Sequence, residues 1–262
     1  MTDNAMSPGR LLVGCAGWSV PKADAAAFPV EGSHLERYAA VFPAVEINSS
    51  FYRPHRPATY AKWAASVPEG FRFAVKVPRA ITHDARMESV DTLVAQFAAE
   101  AGQLGDKLGA LLVQLPPKFG FVDEPARRLF GQLHELFGCV VAFEARHPSW
   151  FSDAATELLR ESSVVRVIAD PAAGQPGPHV PTSEQSVYVR LHGSPRIYYS
   201  RYSPAYVESV RRVLARQVAA GRTCWCIFDN TAGFEAVPNA LELMHGQYAQ
   251  PPDETAILSA PW

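Results

Sequence analysis

Eight short apolar runs, rich in β-branched residues, recur along this chain at residues 11–16, 44–47, 71–77, 110–115, 140–143, 164–169, 187–191 and 224–228. Near-continuous apolar strands of this kind belong to parallel sheets, because crossover helices cover the sheet and bury both faces. The segments between the runs read as those helices. Ser33 and Glu36 have the spacing of a capping box, and Leu35, Tyr38, Ala39 and Phe42 follow at helical spacing. A longer helix is expected after Ser89, with Leu93, Val94, Phe97, Ala101 and Leu104 on one face. Asp123 caps another, which carries Leu129, Phe130, Leu133, Leu136 and Phe137 and stops at Gly138. Ser203 and Pro204 supply a cap and a first-turn proline for a helix running to Gly221. The crossover at 171–186 differs. It holds Pro171, Pro176, Pro178 and Pro181, which remove donors and block helix propagation, so a surface loop is expected in place of the sixth helix.

Eight such units in 262 residues fit a single (β/α)8 TIM-like barrel, a fold of about 250 residues. One domain over 1–262 is expected, with 1–10 as a flexible tail. An open doubly wound sheet is the alternative, but neither a G-x-G-x-x-G nor a P-loop sequence supports nucleotide binding of that kind. Hydrophobic residues make up 48% of the chain, which excludes a disordered protein. The net charge of -2 argues against a strongly basic nucleic-acid binder. No apolar stretch is long enough to span a membrane, and the first ten residues lack a signal-peptide core; a cytoplasmic protein without membrane association is expected. The four cysteines form no C-x-x-C pair and sit in strand-like runs, as buried reduced thiols do.

In a barrel the chemistry sits at the C-terminal strand ends. Seven of the eight runs end there in an ionisable or amide side chain: Glu46 and Asn48, Lys76, Gln114, Glu144 with Arg146 and His147, Asp170, Arg190 with His192, and Asp229 with Asn230. Side chains alternate between faces along a strand. Val45 and Ile47 oppose Glu46 and Asn48, Val75 opposes Ala74 and Lys76, Phe143 opposes Ala142 and Glu144, and Val189 and Leu191 oppose Arg190 and His192. The large apolar set must meet the helices, so the polar set converges on one mouth. Charges of this type are rarely buried without partners. Their convergence reads as a binding or active site, or else as a salt-bridge network that plugs the barrel.

The motifs at these ends resemble those of the domain-of-unknown-function 72 family, the YecE-like proteins. They are Glu46-Ile47-Asn48-Ser49-Ser50-Phe51-Tyr52-Arg53, Phe73-Ala74-Val75-Lys76-Val77-Pro78 with Ile81-Thr82-His83, and Gln114-Leu115-Pro116-Pro117-Lys118-Phe119. Glu144-Ala145-Arg146-His147-Pro148-Ser149-Trp150, Tyr188-Val189-Arg190-Leu191-His192-Gly193 and Phe228-Asp229-Asn230-Thr231 complete the set. The resemblance runs from about Leu11 to His245 and implies a TIM-like barrel with its site at these strand ends. It implies no reaction. Two departures are Asp229-Asn230, where the family often has two asparagines, and the loop after Asp170.

Two classes of function follow. The first is a metal-independent acid/base enzyme acting on a small anionic, sugar- or nucleotide-like molecule, of hydrolase or lyase type. Glu46 and Glu144 would be acid and base, with Lys76 and His192 as further catalytic groups. Arg190, Arg146 and Lys76 would hold the anion. Phe51, Tyr52 and Trp150 would stack a ring, with Asn48, Thr82, His83, Gln114, His147, Asp170, Tyr198, Tyr202, Asp229 and Asn230 as further binding groups. No cofactor is expected. Cationic side chains at the mouth would repel a metal ion, and no zinc-type ligand spacing occurs. The second class is a nucleic-acid-binding protein, with endonuclease-like phosphodiesterase activity as its extension. The tract from Arg196 to Tyr202, which mixes cations with aromatics, is the segment that suits it best.

Overall fold

The computed structural model describes residues 9–246, so the tail expected over 1–10 lies almost wholly outside them. All strand pairings are parallel. The strands are β1 (Arg10–Cys15), β2 (Ala44–Ile47), β3 (Arg72–Lys76), β4 (Leu108–Gln114), β5 (Val140–Glu144), β6 (Val165–Arg166), β7 (Ile168–Asp170), β8 (Ser186–Leu191) and β9 (Thr223–Phe228). They form two sheets, ordered β1-β9-β8-β7 and β2-β3-β4-β5-β6. β6 and β7 are consecutive parts of one extended segment. Its first part pairs with β5 and its second with β8, and the Val167 N–H between them donates to Phe143 O at 2.9 Å. At the other seam, Ala16 bridges to Glu46 and Gly17 N–H donates to Glu46 O at 2.9 Å.

The helices are α1 (His34–Ala39), α2 (Ser49–Tyr52), α3 (Pro57–Ala65), α4 (Asp91–Ala101), α5 (Asp123–Phe137), α6 (Asp153–Glu161), α7 (Pro204–Ala219) and α8 (Ala236–His245). The Ser33–Glu36 capping box forms, and the Ser203 hydroxyl accepts from Tyr206 N–H. Asp123 is not the cap of α5. It is the first helical residue, where its charge favours the helix dipole, and Val122 occupies the cap. The helix ends at Gly138, in the left-handed conformation with φ 59°. No helix forms between Asp170 and Ser186.

Strand parity divides the interior in two. Val45, Ile47, Phe73, Val75, Val113, Phe143, Val189 and Phe228 pack with α1, α4, α5, α6 and α7 in the larger core. Leu12, Ala44, Ala74, Ala110, Leu112, Ala142, Val165, Tyr188 and Trp225 come from both sheets and pack into a second, smaller cluster between them. Tyr188 and Trp225 stack there, with ring centroids 5.8 Å apart, and the facing alanines leave them room. Above this floor, at the C-terminal strand ends, the same face carries polar side chains. Cys15, Cys224 and Cys226 are buried free thiols, and Cys139 is half-buried. Among the described residues no helix is long and apolar enough to cross a membrane.

Candidate functional site

Arg190 stands on the inter-sheet face of β8, one alternation above Tyr188, and is fully buried. Its Nε donates to Glu46 Oε2 at 3.0 Å and its Nη2 to Glu46 Oε1 at 2.7 Å. Nη1 donates to Glu144 Oε2 at 2.5 Å, and Nη2 also reaches Asp229 Oδ2 at 2.9 Å. One guanidinium thus joins carboxylates from β2, β5 and the end of β9. The Tyr188 hydroxyl donates to Glu46 Oε2 at 2.9 Å, so both oxygens of Glu46 are engaged.

Glu144 Oε1 gathers three neighbours. Gln114, its register partner on β4, donates at 2.6 Å, and Arg146 donates from Nε at 3.0 Å. His192 Nε2 lies 3.3 Å away without a hydrogen-bonding angle. Burial alone would push the Glu144 carboxyl up. Arg190, His192 and Arg146 together outweigh it and hold the group well below the usual carboxylate range. Asp229 is lowered in the same way, against its burial, by Arg190 and His192. His192 Nδ1 donates to Asp229 Oδ2 at 2.9 Å, since an ionised carboxylate only accepts. Burial pulls the His192 imidazolium down, but Glu144 and the bond to Asp229 overcome it and leave its pKa above the ordinary value of 6.5.

Lys76 differs from its neighbours. It is 8% exposed, and its Nζ makes no hydrogen bond or ion pair within the described residues. It sits over the Phe51 ring, 4.2 Å from the centroid, a cation–π contact. Burial first, and then the Arg190 charge, bring its pKa down to about 8 against the pull of Glu46, Glu144 and Asp229. Phe51 is otherwise enclosed by the edge-on rings of Tyr52 and His83. Burial and the charge of Lys76 lower His83 to about 4, and its Nδ1 lies 2.9 Å from Thr82 Oγ1.

Glu46, Lys76, Gln114, Glu144, Arg146, Arg190, His192 and Asp229 therefore meet, with Phe51, Thr82 and His83 beside Lys76. The Tyr198 ring stands edge-on to His192 at 5.8 Å. Asn48 follows Glu46, and its Oδ1 is buried without a hydrogen-bond partner among the described residues.

Several expected roles do not fit their surroundings. Arg190 cannot take a substrate anion, because its donors are committed to protein carboxylates and water does not reach it. Glu144 is held ionised and is no proton donor at neutral pH. Trp150 offers no stacking face. It is fully buried against Phe121 and Phe143, and its indole N–H donates to Phe119 O at 3.0 Å. Tyr52 is 73% exposed on the rim. His147 caps the turn Pro148–Phe151 by accepting from Ser149 N–H. Asn230 is fully buried and donates to Ser200 O and Asn239 Oδ1, each at 3.0 Å. The Tyr202 hydroxyl donates to the Asp170 carbonyl at 3.0 Å and accepts from Gly193 N–H at 2.8 Å. The Asp170 carbonyl also takes the His192 N–H at 2.8 Å, so Asp170 and Tyr202 brace the strand end that carries His192. Tyr188 is the group that strand-end reading missed. Its parity with Arg190 was the available signal. Among the described residues no group of three or more His, Cys, Asp and Glu side chains is arranged to hold a metal ion.

Residues 12–256 match the family described as "Protein of unknown function DUF72". The chain belongs to this family. UPF0759 protein YunF of Bacillus subtilis is 26% identical over 91% of this chain and 96% of its own. UPF0759 protein YecE of Escherichia coli is 32% identical over 61% of this chain, a match that spans 59% of that protein's length. A DUF72 family protein of Enterococcus faecalis superposes with a TM-score of 0.76 at 22% identity, covering 93% of this chain and 99% of that one. One from Thermotoga maritima superposes with 0.71 at 22% identity, covering 90% and 98%. These DUF72 likenesses establish the fold and assign no activity.

Proposed function

We propose that the two sheets are one (β/α)8 TIM-like barrel, with the 165–170 segment as its shared strand and 171–185 in place of its sixth helix. The strand ends would then be the mouth of an acid/base enzyme that acts on a small anionic, sugar- or nucleotide-like substrate. The observation that carries this reading is Lys76: a nearly buried amine, without a hydrogen bond or ion pair among the described residues, with a pKa of about 8. A base is most effective when its pKa lies near the working pH. Lys76 is the proton acceptor in this reading, and His192, oriented by Asp229, is the donor. The carboxylates Glu46 and Glu144 belong to the scaffold around Arg190 rather than to proton transfer.

The charge balance admits an anionic substrate. Glu46, Glu144 and Asp229 are offset by Arg190, Arg146 and a protonated His192, which leaves no excess negative charge when Lys76 is neutral. Arg146, half-buried, holds one oxygen of Glu144 through Nε and Nη2 and also bonds the Tyr198 side chain, so a guanidinium with five N–H groups stands at the rim of the cluster. With the carboxylates tied to guanidinium and imidazole groups, the reading needs no resident metal or organic cofactor. The test is a binding screen of sugar phosphates and nucleotides by calorimetry, on wild type and Lys76→Met. A ligand that binds both proteins but is turned over only by wild type supports the reading. No anion bound at millimolar concentration would sink it.

A further inference from the structure

The segment between β7 and β8 covers a cavity remote from the strand-end cluster. Val165 and Val167 face the inter-sheet cluster, so Arg166 between them points to the helix side, where it meets Thr156 of α6. The cavity measures about 180 Å³. Arg166, His179, Thr182, Ser186, Gln217 and Arg222 supply its polar lining, aliphatic side chains from β7, β8 and α7 supply much of the rest, and no carboxylate borders it.

The charges here are unbalanced. Arg166 is 3% exposed and makes no ion pair among the described residues. Its Nη1 donates to Val180 O at 3.3 Å, and its Nη2 to Trp150 O at 3.1 Å and Thr156 Oγ1 at 2.9 Å. Its Nε is buried and has no hydrogen-bond partner among the described residues. Burial and the nearby Arg160 lower its pKa only to about 10, so it stays charged at neutral pH. Arg222 likewise has no ion pair among the described residues. Its Nε donates to Glu184 O at 3.0 Å and its Nη1 to Gln217 Oε1. Arg160 donates to Pro181 O at 3.3 Å, also without an acidic partner among the described residues. The buried His179 Nδ1 has no hydrogen-bond partner among the described residues. Enclosing a charge without a counter-charge is costly, and a guanidinium cannot escape by losing its proton. Arg166 is the enclosed charge, and with Arg222 it faces a cavity whose lining, among the described residues, supplies no anion.

We propose that this cavity binds a small inorganic oxyanion of the phosphate class, between Arg166 and Arg222. The size agrees. At ~30 Å³ for each water, the space holds roughly six waters, enough for such an ion. Guanidinium groups suit the ligand because their fork matches paired oxyanion oxygens. This site is separate from the strand-end mouth and does not depend on the function proposed for it.

The experiment is calorimetric titration of inorganic phosphate into wild type, Arg222→Gln, Arg166→Met and Lys76→Met. Wild type and Lys76→Met are expected to bind alike. Arg222→Gln should bind about tenfold more weakly or worse, the scale of a lost charge-assisted contact. Arg166→Met should lose the binding that Lys76→Met retains. If Arg166→Met fails to fold, Arg222→Gln decides, since Arg222 is only half-buried. The proposal is overturned if wild type binds no phosphate at millimolar concentration, if Arg222→Gln binds as wild type does, or if binding disappears in Lys76→Met alone.

Discussion

Arg190 grips Glu46 at two points, Nε to Oε2 at 3.0 Å and Nη2 to Oε1 at 2.7 Å, and neither side chain is exposed. The pair ties β8 of one sheet to β2 of the other. Planar guanidinium groups favour this two-point geometry. A buried pair adds little stability over a well-packed apolar replacement, but removal of one partner strands the other. Arg190→Met would leave Glu46, Glu144 and Asp229 facing one another. The expected loss in urea unfolding is about 3–5 kcal/mol. Arg190→Lys should recover little of it, since an ammonium is a point charge without the fork. A loss under about 1 kcal/mol, the scale of an exposed ion pair, would show that the cluster is solvated.

Gly14 of β1 packs directly against the backbone of β2. A Cβ there would clash with Ala44 O, a backbone atom that cannot swing aside. Gly14→Ala should therefore shift the seam and cost about 1–3 kcal/mol, as overpacking of a tight interior does. Chemical denaturation checks this, and a neutral substitution would mean that the two strands stand further apart.

The cluster should give stability a limit on either side of mild acidity. Glu144 is held well below its ordinary 4.5, so its contribution is complete above that value and is lost as the pH falls toward the folded pKa. His192 is raised above 6.5, so its contribution is complete below that value and is lost as the pH climbs through the folded pKa. Melting temperatures measured against pH should show the acid limb reduced in Glu144→Gln and the neutral limb reduced in His192→Asn. Unchanged profiles in both variants would contradict the assignment.

Strand parity explains why so much of the site could be read from sequence. Ala142 and Glu144, or Ala74 and Lys76, share a face because the pleat dictates it, whatever the rest of the chain does. Partners are another matter. That Arg190 would be saturated by Glu46, Glu144 and Asp229 depends on how strands 46–229 in sequence come together, which no local pattern contains. Trp150 shows the limit for loops. It follows strand-end polar residues, yet the turn Pro148–Phe151 rolls it beneath Phe121 and Phe143. Arg166 lies within the apolar run 164–169, and its lack of a counter-charge among the described residues appears only once its neighbours are known.

Lys76 gives the sharpest test, because its burial and its proposed role predict the same unusual titration. Its pKa is lowered from 10.5 to about 8, with burial as the main cause and Arg190 as the second. The unfolded chain therefore holds the Lys76 proton between these two values while the folded chain has released it. Stability attributable to Lys76 must then rise with pH across that window, the reverse of what a paired lysine does. At neutral pH the folded state carries the whole penalty of a desolvated ammonium. Lys76→Met keeps the length of the side chain and its contact with Phe51 but removes the charge. It is expected to melt higher than wild type at pH 7, with the advantage shrinking as the pH passes from about 8 to 10.5. Side-chain NMR of the lysine resonances should show one group titrating near 8 in wild type and absent from the variant. If Lys76→Met is instead destabilised at pH 7 and every lysine titrates near its ordinary value, the amine is paired or hydrated in solution. The proton-acceptor role would fall with it.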